Sequence, residues 1–150
     1  MLDFDYPVHY AGLIQQVSWD IELPEQWNEF FTETGVVAVV DPDRRDKQRR
    51  IVRMRGLMSI DRPLPSIKRE KRFFGVYTKD FSKDACGVVT PFQLYPKERV
   101  RLVLPTFWLE LRVVRCHRET STCFDTGFAL VRRHDPDRSA FISGGNFLKV

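Results

Sequence analysis

The chain has little cysteine: Cys86, Cys116 and Cys123 are an odd number with no C-x-x-C spacing. That argues against a disulfide framework and against a structural zinc site. Cys116 and His117 are neighbours, and neighbours on a strand point to opposite faces, so Cys123 six residues on does not complete a metal set. Long apolar runs are also lacking. The stretch 35–40 is far short of the ~20 residues a membrane helix needs, and no membrane insertion is expected. The opening Met1-Leu2-Asp3-Phe4-Asp5 carries acids where a secretory signal carries positive charge, so a cytoplasmic address is expected. There is no GxxxxGK[ST] and no HExxH, and His9, His117 and His134 lie near no nucleophile elbow. No catalysis and no cofactor are expected. Internal repeats and low-complexity tracts are absent too.

What is present is globular: 150 residues, 43% hydrophobic and 13% aromatic. One compact domain is the default, since a chain of this size buries roughly 68–70% of its unfolded surface. Net charge is only +4, yet it is concentrated. Residues 44–55 hold Arg44, Arg45, Lys47, Arg49, Arg50, Arg53 and Arg55 against Asp46, a local +6, which leaves −2 for the rest. Clustered guanidinium groups repel one another unless an anion or solvent screens them, and arginine suits bidentate phosphate or stacking on a base. The alternative is a solvated basic linker leading into a strand, and charge alone does not decide between the two.

The first 43 residues differ in pattern from the rest. Pro24 followed by Glu25 and Glu29, with Trp27, Phe30 and Phe31 at i, i+3, i+4 and Gly35 as a stop, predicts an amphipathic helix. A weaker helical pattern covers 10–19, with Leu13, Ile14 and Val17 on one face, and the two together suggest a helical hairpin. Its aromatic stripe reads as core or as an inter-subunit face, so a homodimer is one expectation. From Arg49 onward, short strands are expected at 51–60, 73–79, 87–90, 99–104, 109–116 and 123–132. Segments 99–104 and 109–113 alternate apolar and polar at period two, so one face meets a core and the sheet must close or be covered. The expected division is 1–43 as a helical extension and 44–150 as a barrel domain.

Arg49 and Arg53 form an RxxxR pair, and 27 residues later comes Asp80-Phe81-Ser82-Lys83-Asp84-Ala85-Cys86-Gly87. Downstream stand Tyr95-Pro96-Lys97-Glu98-Arg99-Val100 and Val113-Val114-Arg115. In this order these segments resemble the PilZ family, whose second motif is (D/N)xSxxG, over roughly residues 45–132. The resemblance implies a mainly β chain: a six-stranded antiparallel barrel, bacterial, that binds the second messenger cyclic di-GMP and passes the signal to a partner protein. It carries the ligand roles onto Arg49 and Arg53, Asp80 and Ser82. Guanine offers O6 and N7 acceptors to an arginine fork and N–H donors to a carboxylate. Arg49 and Arg53 would take phosphate and guanine, Asp80 the guanine N–H groups, and Ser82 the turn or the ligand. Arg45 and Arg49 are also four apart and offer an alternative register, Arg50 is an auxiliary contact, and Arg115 either completes the pocket wall or faces solvent. Lys68 to Arg72 reads as a solvated face. One position departs from the motif, because Ala85 stands where the family has glycine, and a Cβ there costs about 1–2 kcal/mol if the residue is left-handed.

Three functions compete. The first is a cyclic di-GMP sensor. The second is a degenerate adaptor that has lost the ligand and acts by protein contact. The third, single-stranded nucleic acid on Phe73, Phe74 and Tyr77, is disfavoured by the −2 charge outside the basic cluster and by how apolar that strand is.

Overall fold

The computed structural model describes residues 4–33, 35–39 and 47–150, without the side chains of 35–39 and 47. Arg45, with Arg44 and the acids Asp41, Asp43 and Asp46, lies outside the described residues.

The fold is mainly β, with a closed six-stranded antiparallel barrel and one N-terminal helix. The helix α1 spans Tyr6–Gln16. It starts four residues earlier than the pattern 10–19 suggests, because Asp5 caps it, its side chain accepting from the Val8 amide at 3.2 Å, and Pro7 sits in the first turn. Strand β1 (Gly35–Val39) pairs with β2 (Lys47–Ile51) in a hairpin. The barrel strands are β3 (Arg55–Arg62), β4 (Phe74–Phe81), β5 (Ala85–Thr90), β6 (Arg99–Val103), β7 (Trp108–Thr120) and β8 (Cys123–His134). They run β3-β6-β7-β8-β5 around the wall, and β4 closes it by pairing with both β3 and β5. A short hairpin of β9 (Ile142–Ser143) and β10 (Asn146–Phe147) turns through Gly144 and Gly145, both at positive φ. Inward side chains of alternating register, including Met58, Val88, Leu102, Leu111 and Phe128, fill the barrel.

Two expectations fail here. The helix read over Pro24 to Gly35 is a single 3-10 turn, Glu25–Trp27, followed by further turns, so there is no helical hairpin. Its bonds run mostly i to i−3, Phe30 N–H to the Trp27 carbonyl and Thr32 N–H to that of Glu29. So short a segment nucleates a helix poorly, and its rings find partners on the barrel instead. Phe30 is buried with Tyr77, Val89 and Cys123 on the outer wall, and Trp27 and Phe30 stack at 5.8 Å. The strand read over 51–60 is two strands broken at 52–54. Thr78 fills the break: its hydroxyl receives the Met54 N–H and donates to the Val52 carbonyl.

α1 lies on the outside of the barrel, where Tyr6, Tyr10 and Leu13 cover Leu57, Val103 and Trp108 together with Phe73 and Phe141. Tyr6 donates to the Leu104 carbonyl at 2.6 Å and Tyr10 to that of Arg55 at 2.9 Å, which fixes the helix at two points. From α1 the chain passes as a strap across β4 to the β7–β8 turn, where Thr120 and Thr122 hydroxyls bond the backbone of Glu22. Trp19 crosses directly over Gly75. A Cβ there would come within 2.7 Å of the indole and 2.9 Å of the Ser18 carbonyl, so this crossing requires glycine.

Candidate functional site

β4 carries the start of the second motif where its pairing with β5 is distorted. Thr78 faces Val88 and Asp80 faces Gly87, so Lys79 is an extra residue in the ladder. Such a bulge re-aims side chains, and here Lys79 and Asp80 both lie over Gly87 on the outer wall. Arg49 arrives from β2, and its Nη1 donates to Asp80 Oδ1 at 3.3 Å. Lys79 Nζ meets Asp125 Oδ2 at 2.6 Å.

A row of four cross-strand partners starts at Asp80 and runs around the wall: Asp80 faces Gly87, Gly87 faces Gly127 and Gly127 faces Arg115. The two central positions have no side chain. A Cβ on Gly87 would stand 3.0 Å from Asp80 Oδ1, and one on Gly127 would stand 3.1 Å from Arg115 Cγ and Nε. The Asp80 and Arg115 side chains thus lie in over the two glycines from either end of a row about 14 Å long, three strand spacings. The adjacent row is also small, Ala85 facing Ala129 and Ala129 facing the exposed Arg112. The result is a shallow floor of small residues with Arg49 and Asp80 at one margin and Arg112 and Arg115 at the other. A flat heteroaromatic ring can lie on peptide planes of this kind, with charged groups at its edges.

The expected residues occupy three different settings. Arg49, Asp80 and Arg115 share the outer wall. Arg50, opposite in strand parity to Arg49, lines the open end of the barrel instead. Arg53 is held under the strap: its guanidinium stacks over Phe30 at 4.1 Å, its Nη2 meets Glu33 Oε2 at 3.3 Å, and its side chain is 9% exposed. Its Nε is buried without a hydrogen-bond partner. Because the strand breaks after Ile51, Arg49 and Arg53 do not present the shared face that spacing of four suggests. Ser82 closes the β4–β5 turn, its N–H and hydroxyl both directed at the Ala85 carbonyl.

Ala85 lies in strand β5, and among the described residues the one non-glycine at positive φ is Lys97. The left-handed penalty considered for Ala85 therefore does not apply. Lys97 has φ 79 as the third residue of a turn in which Glu98 N–H donates to the Tyr95 carbonyl after Pro96, a type II turn. Within it Glu98 is fully buried and takes Arg69 on both oxygens and the Tyr95 amide. Arg69, read as part of a solvated face, is thus the half-buried partner of a buried carboxylate.

Cys86 lies on the inner side of β5, where burial pushes its thiol well up, with Asp80 adding to the rise and Arg49 opposing it. Burial, reinforced by Glu119 and Asp125, pushes Cys123 to about 11. Both are packing residues rather than nucleophiles. Phe73 is buried under α1 and Tyr77 under the strap, so neither offers a free stacking platform.

Sequence reading missed the glycine floor. Gly127 sits in no motif, and only the register of β7 and β8 brings it beside Gly87. Arg112 was likewise unremarkable on an alternating strand.

No curated protein and no solved structure matched the chain. The family model described as the PilZ domain matches residues 43–142. With a closed six-stranded barrel, the second motif segment on it and a family match over most of its length, the chain belongs to the PilZ domain family.

Proposed function

We propose that the protein is a cyclic di-GMP sensor that takes the nucleotide on the outer wall of the barrel and passes the signal to a partner protein through the N-terminal strap. PilZ domains are ligand-binding receptors, and the observation that carries the reading here is the Arg49–Asp80 pair standing beside the Gly87–Gly127 floor. In this reading a guanine lies on the two glycines, its N–H groups donate to Asp80, and Arg49 turns from Asp80 to phosphate or to O6 and N7. Arg115 takes the second charge at the far margin.

Arg53 joins the ligand by exchanging Glu33 for phosphate, a stronger anion. That exchange takes the guanidinium off Phe30 and loosens residues 27–33, which form the local cover of Tyr77 and Val89. The surface so uncovered is apolar, and it is the surface a partner would read. The strand geometry of Ala85 supports binding over the adaptor reading, since its methyl carries no backbone strain. A cytoplasmic address follows from an intracellular nucleotide ligand, and among the described residues no helix is long and apolar enough to cross a membrane.

Calorimetric titration with cyclic di-GMP tests the proposal. Charge-assisted hydrogen bonds are worth about 1.5–3 kcal/mol, so Arg49→Ala and Asp80→Ala should each weaken binding roughly ten- to a hundredfold. No heat from the folded wild-type protein would replace the sensor with the adaptor.

A further inference from the structure

The same strands that carry the outer wall also line a cavity of about 490 Å³ at the open end of the barrel. Strand alternation separates the two. Arg49, Asp80 and Gly87 face out, while their neighbours Arg50, Phe81 and Cys86 line the cavity. Its walls are apolar, with Met54, Phe81, Leu111 and Leu130 among them, and its volume falls within the ~300–1,000 Å³ range of small-molecule sites. Three cations, Arg50, Lys83 and Arg133, stand at it, and among the described residues no carboxylate lines it. Among the described residues none of the three is paired with an acid. Arg133 lies over the Phe107 ring at 4.2 Å, which holds its charge at the lip. The far lip, the β6–β7 turn, is pinned by Tyr6, which donates to the carbonyls of Leu104 and Phe107 at 2.6 and 3.1 Å, so the opening is built rather than left by a loose loop.

We propose that the barrel mouth binds a single-chain amphiphile with an anionic head, the alkyl chain entering among Met54, Leu111 and Leu130 and the head resting between Lys83 and Arg133. An apolar cavity whose charged groups, among the described residues, are all cations complements that class, whereas a neutral or cationic amphiphile gives them no counter-charge. The inference is independent of the nucleotide reading, because it uses the opposite face of the strands and other residues.

The test is displacement of a dansyl-labelled fatty acid from the full-length protein, with each competitor below its micelle-forming concentration. Decanoate, dodecanoate and dodecyl phosphate should displace the probe, and dodecanoate should bind roughly tenfold tighter than decanoate, each buried methylene being worth about three- to fourfold. Dodecanol should be at least about tenfold weaker than dodecanoate, as loss of a charge-assisted contact implies. Lys83→Glu combined with Arg133→Glu alters exposed side chains only. It should weaken dodecanoate by roughly tenfold or more and leave dodecanol unchanged, with circular dichroism confirming the fold. Leu130→Trp should weaken every competitor. Tighter dodecanoate than dodecyl phosphate assigns a free acid, and the reverse assigns a phospholipid-type head. Dodecanol matching dodecanoate, indifference to the charge reversals, or no binding of the probe by the folded protein would overturn the proposal.

Discussion

Two rows of four cross-strand partners leave β4 in opposite directions around the barrel and both end on β7. One runs Gly75, Leu57, Val103, Trp108, and the other runs Asp80, Gly87, Gly127, Arg115. The first is apolar and sealed. α1 and the C-terminal segment cover it, Leu57 and Val103 are fully buried, and its glycine exists so that Trp19 can cross. The second is small and charged, and its glycines lie under the side chains of Lys79, Asp80 and Arg115. A barrel needs one packed face per strand, the inner one, so the outer wall is free to differ from side to side. Glycine serves opposite ends in the two rows: at Gly75 it admits a piece of the protein, and at Gly87 and Gly127 it leaves room for something else.

The largest effect expected from this contrast is on the sealed side. Leu57→Ala should cost about 2–5 kcal/mol of stability, read from denaturant midpoints, and Gly75→Ala about 1–3 kcal/mol, because the indole and the Ser18 carbonyl both have to move. Gly127→Ala, against a flexible arginine side chain, should stay within about 0.5 kcal/mol. Equal losses at Gly75 and Gly127 would erase the distinction.

Next in size is ligand affinity on the open side. Arg49→Ala should lower cyclic di-GMP affinity roughly ten- to a hundredfold while leaving stability within about 1 kcal/mol, since a half-exposed ion pair contributes little to folding. Leu57→Ala, assayed where it is folded, should leave affinity unchanged.

Smaller still are two backbone effects. Lys97→Gly should stabilise by about 1 kcal/mol, as a left-handed residue in a type II turn is relieved, and a shift in the thermal midpoint reads it. Ala85→Gly restores the family glycine, yet at negative φ it relieves nothing. It should cost about 0.5–1 kcal/mol of stability with little change in affinity, and a large gain in affinity would show that the methyl itself obstructs the ligand.

A pH effect below neutrality is expected on the sealed side. His9 lies among Phe4, Phe141 and Phe147, its Nε2 buried without a partner, and burial lowers its pKa below the usual 6.5. The neutral form is the one the fold favours. Its contribution is therefore complete above about 6.5 and is lost as pH falls from there toward the lower folded-state value. The thermal midpoint should drop over that interval in the wild type and drop less in His9→Phe.

Much of this was legible in the sequence, for definite reasons. Period-two alternation located β6 and the start of β7, and the spacing of Arg49, Asp80 and Tyr95-Pro96-Lys97-Glu98 located the family. Burial of Glu98 on Arg69 was not visible, because the two are 29 residues apart. The strap over Pro24 to Gly35 was misread because i, i+3, i+4 spacing of aromatics fits a 3-10 turn packed on a sheet as well as it fits a helix. Capture of Arg53 by Phe30 and Glu33 is a tertiary event with no local signal. The floor at Gly127 depends on register across three strands, which no window along one strand contains.

The most direct test of the open row is amide chemical-shift mapping during titration with cyclic di-GMP. Shifts centred on Asp80, Gly87, Gly127 and Arg115, spreading to Phe30 and Glu33 but leaving Tyr10, Leu57 and Val103 still, are expected. Shifts centred on α1 and β3, or none at saturating nucleotide, would contradict the assignment of the ligand to that wall.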